Sequence, residues 1–465
     1  METGARAAGE KKRIRFRYIY RHICSVIMIL VAVSMFLYAW LDYVFGHSHT
    51  GHLIGRGSII LSSILYMILF YVIGNFLHIF RIGIERIAKQ TAGMIMTLII
   101  TDLTEILISA AIINDFGSIL DFTWRYALLC ICQSVFMAVL MFFMFSLYKR
   151  LIKPIPVTMI YGEYGNDLEL KMNLIPQNYQ VETSIHYDDP SLDLPSLIEK
   201  SVSVLIYDVP AEFEHTVIKL CFEKDRRLYA VPKIADIILK SSENINVMDT
   251  PLYLNRNLEM SLPHRIAKRF IDIVLSILGL IVLSPLFLVI AIAVKAEDKG
   301  PVFFTQERVT RKGKHFRIIK FRSMIVDAEK DGSPRAAGMK DERITKVGKV
   351  IRKYRMDELP QFINIIAGDM SIVGPRPERI ENVEMYTRDI PEFIYRQKVK
   401  AGLTGFAQVY GKYNTTALDK LKLDLMYITN YSLILDLQII FETVKILFQK
   451  DSSEGFPDGD AGNGG

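Results

Sequence analysis

Four long apolar runs, at residues 23–45, 58–80, 94–113 and 124–148, constrain this chain more than any other feature. Each has the roughly 20 residues needed to cross a hydrocarbon core of about 30 Å. Hydrophobic residues make up 51% of the chain, more than a soluble enzyme of this length needs. The first run is too long for a signal-peptide core, and no small-x-small cleavage site follows it. It is therefore expected to stay as a transmembrane helix. Charge then sets the orientation. Lys11, Lys12, Arg13, Arg15, Arg17 and Arg21 precede the first run; Arg81, Arg86 and Lys89 follow the second; Lys149, Arg150 and Lys153 follow the fourth. The alternate connections, 46–57 and 114–123, carry almost no Lys or Arg. The positive-inside tendency places both ends of this four-helix unit, and the soluble parts after it, in the cytoplasm. The net charge of +6 is modest, and no nucleic-acid partner is expected.

Asp102 and Glu105 lie inside the third run, three apart and so on one helical face. Carboxylates in a membrane are costly and often functional. With no basic residue at similar depth, they are expected to face the bundle interior and bond to Thr101, Thr104 or a neighbouring helix. Cys24, Cys130, Cys132 and Cys221 show neither zinc spacing nor a disulfide framework,. They read as buried small hydrophobes in a reducing compartment.

Residues 154–250 change character. Short β-runs at 157–161, 179–185 and 202–209 alternate with helical stretches, one of them at 214–224. This predicts a small Rossmann-like α/β domain. Gly162-Glu163-Tyr164-Gly165 follows the first strand, where a phosphate loop would lie, but the G-x-G-x-x-G spacing is absent,. A degenerate domain serving assembly or regulation is expected, with 251–264 as a linker.

A fifth apolar run, 271–294, has basic flanks on both sides: Arg265, Lys268 and Arg269 before it, Lys295, Lys299, Arg308, Arg311 and Lys312 after it. A straight span would put those flanks on opposite faces of the membrane. Ser284-Pro285 offers a break, because proline removes a backbone hydrogen bond and the serine hydroxyl can satisfy the freed carbonyl. The prediction is a re-entrant helix pair that enters one leaflet and returns. Residues 301–322 then read as a basic β-hairpin with its turn near Lys312-Gly313.

The densest chemistry lies at 349–378, KVIRKYRMDELPQFINIIAGDMSIVGPRPE. Asp357 and Glu358 follow Arg352, Lys353 and Arg355. Pro360 is expected in the first turn of the next helix, with Asp357 as its N-cap and both acids at its electropositive end. Such an end suits an anion or a metal-bridged phosphate, although acid pairs of this kind also serve simply as caps.

The run DELPQFINIIAGDMSIVGPRPE, with Lys320-Phe321-Arg322-Ser323-Met324 upstream, resembles the bacterial sugar transferases, the monotopic polyprenyl-phosphate phosphoglycosyl transferases. The likeness covers roughly residues 263–450. It implies that Asp357 attacks the sugar-linked phosphate of a UDP-sugar with release of a nucleoside monophosphate, and that a polyprenyl (undecaprenyl) phosphate then takes the phosphosugar. It implies Mg²⁺, with Glu358 and Asp357 as ligands, and phosphate binding by Lys320, Arg322, Arg352 and Arg376. Asp369 is a further candidate, or else caps the turn at Gly368. The chain departs from the family at Thr310, where glycine is frequent, and at Ala401, where proline is usual. Phe406 and Tyr410 stand where tryptophan and asparagine are frequent.

The expected architecture is membrane α plus α/β. It comprises a basic segment 1–22, four transmembrane helices within 23–150, the Rossmann-like domain, and a monotopic α+β catalytic domain 265–450 with the re-entrant helix broken at Ser284 and Pro285. Amphipathic helices at 418–450 are expected at the membrane surface, with ordinary core packing as the alternative, and the glycine-rich acidic tail 451–465 is expected to be disordered. Function would be the start of exopolysaccharide, capsule or O-antigen assembly on the cytoplasmic face of a bacterial cell membrane, with self-association through the transmembrane unit. The competing reading is a catalytically silent scaffold that senses nucleotide through 154–250.

Overall fold

The structure, a computed structural model, describes residues 2–47, 56–113, 119–163, 166–173, 178–255, 260–326, 328, 341–411 and 415–447. Tyr164 and Gly165 of the expected loop, and the tail 451–465, lie outside them. Two compact units divide the chain, Met1–Val231 and Pro232–Gly465.

The first unit opens with α1 (Glu2–His47), α2 (Arg56–Phe76), α3 (Ile87–Ile113) and α4 (Ile119–Leu151). Each is long and apolar enough to cross a membrane. Their burial pattern is that of a bundle in lipid. Apolar Leu107, Ile131, Val139 and Phe142 face outward, while Gln90, Thr97, Thr101, Asp102, Glu105 and Ser109 of α3 are buried,. Phe36 stacks on Tyr66 at 4.2 Å between ring centroids inside the bundle.

As expected, the two α3 carboxylates face the interior, and their partners come from α2. Tyr66 donates its hydroxyl to Asp102 Oδ1 at 3.0 Å, and Ser62 donates to Glu105 Oε1 at 3.0 Å. Thr104 instead donates to Ile100 O of its own helix. Cys24 and Cys221 are buried, but Cys130 is half-buried and Cys132 exposed. The exposure of Cys132 corrects the expectation of four buried cysteines, since α4 turns that face outward.

Helix α1 runs unbroken through the basic segment. Tyr20 donates to Met144 O at 2.6 Å and Arg21 Nε to Ile82 O at 3.0 Å, which ties the basic end of α1 to the α2–α3 turn and to α4. That turn begins at Leu77, within the second apolar run. It needs a glycine: Gly83 has φ +80°, and a Cβ there would lie 2.2 Å from the Tyr148 ring,.

Beyond the bundle come β1 (Ile155–Tyr161), α5 (Asn166–Asn173), β2 (Tyr179–His186), α6 (Leu194–Lys200), β3 (Ser203–Tyr207), α7 (Ala211–Glu223) and β4 (Arg227–Ala230). The four strands form a parallel sheet in the order β2-β1-β3-β4. Ile160, Val204, Ile206, Val217 and Cys221 form a core between sheet and helices. Strand β4 has only four residues and no alternation, so its pairing with β3, rather than its own pattern, defines it.

The second unit begins with α8 (Ile234–Lys240) and a hairpin of β5 (Glu243–Val247) and β6 (Thr250–Leu254). The fifth apolar run then forms α9 (Leu262–Val282) and α10 (Ser284–Asp298), bent by 62°. Ser284 Oγ donates to Ile281 O at 2.7 Å, the carbonyl rescue expected at a Ser-Pro break.

The predicted hairpin is present as β7 (Phe303–Val309) and β8 (His315–Phe321), with Lys312 and Gly313 left-handed in its turn. Next come α11 (Lys346–Lys353), α12 (Gln361–Ala367), β9 (Met370–Val373), α13 (Ile380–Asp389), β10 (Ala401–Thr404), α14 (Phe406–Tyr410), α15 (Ala417–Thr429) and α16 (Leu433–Leu447). Strands β9 and β10 pair in parallel.

Of the two readings of 418–450, core packing is seen on one face of these helices, while Leu418, Ile434 and Leu437 stay exposed. Leu421 and Leu425 of α15 are buried with Phe393 and with Ile237 of α8, and Tyr427 and Ile439 join the core around β9. Two of the lysines in that stretch are also engaged, Lys420 by Glu378 and Lys445 by Glu442.

Candidate active site

Three chain segments converge on the acid pair, and each is locked by local chemistry. Helix α11 is capped by Thr345, whose Oγ1 accepts from Gly348 N at 2.9 Å,. Glu297, near the end of α10, accepts from Lys346 N at 2.7 Å and Val347 N at 3.2 Å. A carboxylate there also complements the positive end of α11. Gly348 lets this helix approach the end of β8, because a Cβ at that position would lie 2.0 Å from Ser323 O.

After α11 the chain passes through Arg355, a non-glycine residue at φ +53°, into a single 3-10 turn, Met356–Glu358. Such backbone strain is held only where the surroundings enforce it. Pro360, not Asp357, occupies the N-cap of α12, and no side chain caps that helix. The expected N-cap role of Asp357 is therefore corrected. The 3-10 turn spends the residues that would have placed Asp357 directly before the helix.

Glu358 is buried and bridges two cations. Its Oε1 accepts from Lys320 Nζ of β8 at 2.8 Å and from Arg376 Nη2 at 2.7 Å, and its Oε2 has a longer contact with Arg376 Nη1, 3.4 Å. Arg376 belongs to the stiff Gly374-Pro375-Arg376-Pro377 turn after β9. Its side chain remains 42% exposed, so one edge of the guanidinium is held by Glu358 while the rest faces solvent. Burial pushes the Glu358 carboxyl up, but Arg376 and Lys320 outweigh it and hold the group well below the ordinary range,.

Asp357 goes the other way. Burial and then the Glu358 charge raise its pKa, against the pull of Lys320, Arg352 and Arg376. The adjacent acids are thus driven apart, Glu358 held down by its cations and Asp357 raised by burial and by its neighbour's charge. Divergent pairs of this kind mark sites where acids take different roles.

Arg322 is turned elsewhere. It is buried and ion-paired with Asp298 at the end of α10, while its Nε and Nη1 have no partner among the described residues. Arg352 acts on Asp357 through charge. Asp369 does not cap Gly368 with its side chain. Its Oδ1 pairs with Lys314 Nζ at 3.1 Å, across the β7–β8 turn.

Further residues hold the site and carry no local sequence signal. Asn364 of α12 accepts from Ile319 N at 2.9 Å and donates to Arg317 O at 2.8 Å, so it clamps α12 to β8. Arg269 of α9 donates to Ile365 O and Ile366 O at the end of α12, and buried Asp272 accepts from Ser371 Oγ and Ile372 N of β9. The bent apolar pair is thereby fastened to the elements that carry the acids.

Comparison with known proteins decides the family. The description "Bacterial sugar transferase" matches residues 263–450. The exopolysaccharide production protein ExoY of Sinorhizobium fredii is 38% identical over 193 residues, 38% of this chain and 84% of that protein. The chain belongs to the bacterial sugar transferase family. A UDP-N-acetylgalactosamine-undecaprenyl-phosphate N-acetylgalactosaminephosphotransferase of Aeromonas hydrophila is 45% identical over 183 residues, 39% of this chain and 43% of that protein. The UDP-glucose:undecaprenyl-phosphate glucose-1-phosphate transferase of Escherichia coli is 43% identical over 205 residues, 43% of this chain and 42% of that protein. Against these two, the chain matches less than half of the relative's length.

The family segment contains every candidate residue, from the Ser284-Pro285 break to Arg376. Among the described residues, no three His, Cys, Asp or Glu side chains gather as a metal site. The acid pair nevertheless fits a Mg²⁺ ion. Among the described residues, Asp357 makes no side-chain hydrogen bond, and Glu358 Oε2 has only its long contact with Arg376. Mg²⁺ is ordinarily held by one or two carboxylates, with substrate phosphates and water completing the shell.

Proposed function

We propose that this membrane protein transfers a sugar 1-phosphate from a UDP-sugar to a polyprenyl phosphate, undecaprenyl phosphate in a bacterial cell, and so starts assembly of a surface glycan. The observation that carries the reading is Glu358 bridging Lys320 and Arg376 directly beside Asp357. Two anionic reactants must meet here, and clustered cations lower their repulsion. Bound Mg²⁺, held by Asp357 and Glu358, would neutralise diphosphate charge.

In the first step an Asp357 oxygen attacks the sugar-linked phosphorus. A P–O bond to Asp357 forms, the bond to the bridging oxygen breaks, and UMP leaves with that oxygen. In the second step an oxygen of the lipid phosphate attacks the same phosphorus, the aspartyl bond breaks, and a polyprenyl diphosphate sugar results. The carboxylate returns unchanged, which predicts ping-pong kinetics. Arg376 and Arg352 hold phosphate oxygens through both steps. Arg322 serves by fixing the end of α10 through Asp298.

The bent pair α9–α10 is read as re-entrant. Its 62° bend, its Ser-Pro break and the basic residues on both flanks support that reading. The catalytic part would then sit on the cytoplasmic face, where the nucleotide donor is made. The β2-β1-β3-β4 sheet is read as a degenerate Rossmann-like module, and the four-helix bundle as the surface through which copies associate.

The test is a membrane preparation offered radiolabelled UDP-glucose, UDP-galactose and UDP-N-acetylhexosamines. UMP release with one donor, loss of release in Asp357→Asn, and a phosphosugar trapped on Asp357 of the wild type support the proposal. Labelling of residues after 298 from the periplasmic side would overturn it.

A further inference from the structure

The polar interior of the four-helix bundle has a chemistry that sugar transfer does not use. Thr101, Asp102 and Glu105 of α3 are 0%, 3% and 0% exposed. Their Oγ1, Oδ2 and Oε2 atoms are buried with no hydrogen-bond partner among the described residues. Glu105 stands four residues after Thr101 and three after Asp102, and residues three and four apart are neighbours at about 5–6 Å on a helix face, so Glu105 adjoins both of the others within one turn of α3.

The other oxygen of each carboxylate is already an acceptor, Asp102 Oδ1 from Tyr66 and Glu105 Oε1 from Ser62. Among the described residues no basic side chain acts on either acid; the groups that do are the Tyr66 and Ser62 hydroxyls and the Cys130 thiol, which hydrogen-bonds Asp102. Two ionised carboxylates here would be like charges in a low-dielectric interior with nothing to balance them. One proton would still leave a buried charge, and two would leave two buried O–H donors with the Thr101 hydroxyl as the one unpartnered acceptor in the turn,. A hard cation resolves both difficulties, because it takes oxygen ligands and supplies the missing charge.

We propose that this turn of α3 is a cation site inside the bundle, with Asp102 Oδ2, Glu105 Oε2 and Thr101 Oγ1 as ligands. Charge balance is met by one divalent ion, or by one monovalent ion with one proton. The third ligand is a hydroxyl rather than a third acid or an imidazole, which sets the site apart from commoner acid clusters.

The test uses the full-length protein in lipid nanodiscs. A hydrophobic carbodiimide modifies protonated buried carboxylates, and mass spectrometry maps the modified residue. Labelling is compared in magnesium, calcium, sodium, and choline with chelator. Several-fold slower labelling of Asp102 or Glu105 in one of the metal arms supports the site and identifies its ion. Equal labelling in all arms overturns it. Thermal unfolding gives a second readout, taken in the Asp357→Asn background so that an ion at the catalytic acid pair does not contribute: the protecting ion should raise the Tm of Asp357→Asn, but not that of Asp357→Asn that also carries Asp102→Asn or Glu105→Gln. A shift that persists in both bundle variants also overturns the proposal, and labelling of the wild type decides the matter even where a variant does not fold.

Discussion

The backbone N–H of Ala401 donates to Thr310 Oγ1 at 3.1 Å, and that hydroxyl in turn donates to Asp369 O at 3.0 Å. These are two positions at which the chain departs from the family's frequent glycine and usual proline. The departures compensate each other: a proline at 401 would have no N–H to satisfy, and a glycine at 310 could not accept one. Thr310→Gly alone should strand a buried donor and cost about 1–3 kcal/mol. With Ala401→Pro in the background that donor is gone, and the same change should cost markedly less. Urea unfolding of the four proteins in the cycle measures the coupling, and additive losses would refute it.

Glu358 makes stability depend on pH in a defined direction. Its folded-state pKa is depressed, so its contribution is complete above the ordinary carboxylate range and fades as pH falls through the folded value. Glu358→Gln should therefore be most destabilised relative to wild type near neutral pH, with the difference narrowing in acid. Unfolding midpoints from neutral pH down into the acid range would show this convergence. Parallel curves would mean that the Lys320 and Arg376 pairs contribute little.

Asp357 predicts the opposite shift, and here the readout is activity. Its pKa is raised by burial and by Glu358, and only the ionised carboxylate can attack phosphorus. The acid limb of kcat/KM should fall at a pH above the roughly 3.9 of an ordinary aspartate. Arg352→Gln removes one of the charges that favour ionised Asp357, so it should move that limb to still higher pH. An unmoved limb would assign it to another group.

Much of this was legible in the sequence because it is local. Apolar run length set the four bundle helices, Lys312-Gly313 marked the hairpin turn, and Ser284-Pro285 marked the bend. What local pattern does not encode is pairing across distance. Nothing near Arg322 points to Asp298, and nothing near Glu358 says that Lys320 and Arg376 share one of its oxygens. Asp357 looked like a helix cap because Asp-x-x-Pro before an apolar run usually opens a helix. The left-handed Arg355 shifted the start by three residues. Likewise, apolar spacing in α15 fits a membrane surface and a protein core equally well, and only its neighbours, Phe393 and Ile237, distinguish them.

Arg396 supports the site from behind, and its removal should be costly. It is 6% exposed, donates from Nε to Asp424 Oδ2 at 2.6 Å, and donates from Nη2 to Arg376 O at 3.0 Å, which fixes the backbone of the residue that grips Glu358. Asp424 is 1% exposed and its pKa is raised by burial against the pull of Arg396. Arg396→Met takes away that carboxylate's hydrogen-bonded partner and leaves it only the more distant charge of Lys420, and breaking a buried pair in this way costs about 3–5 kcal/mol. Arg396→Met with Asp424→Leu removes the stranded charge and should recover most of the stability. The double variant still lacks the bond to Arg376 O, so its KM for the nucleotide donor should stay raised although it is folded. Recovery of both stability and KM would mean that Arg396 serves the fold alone, and that the Gly374-Pro375 turn is stiff enough to aim Arg376 without it.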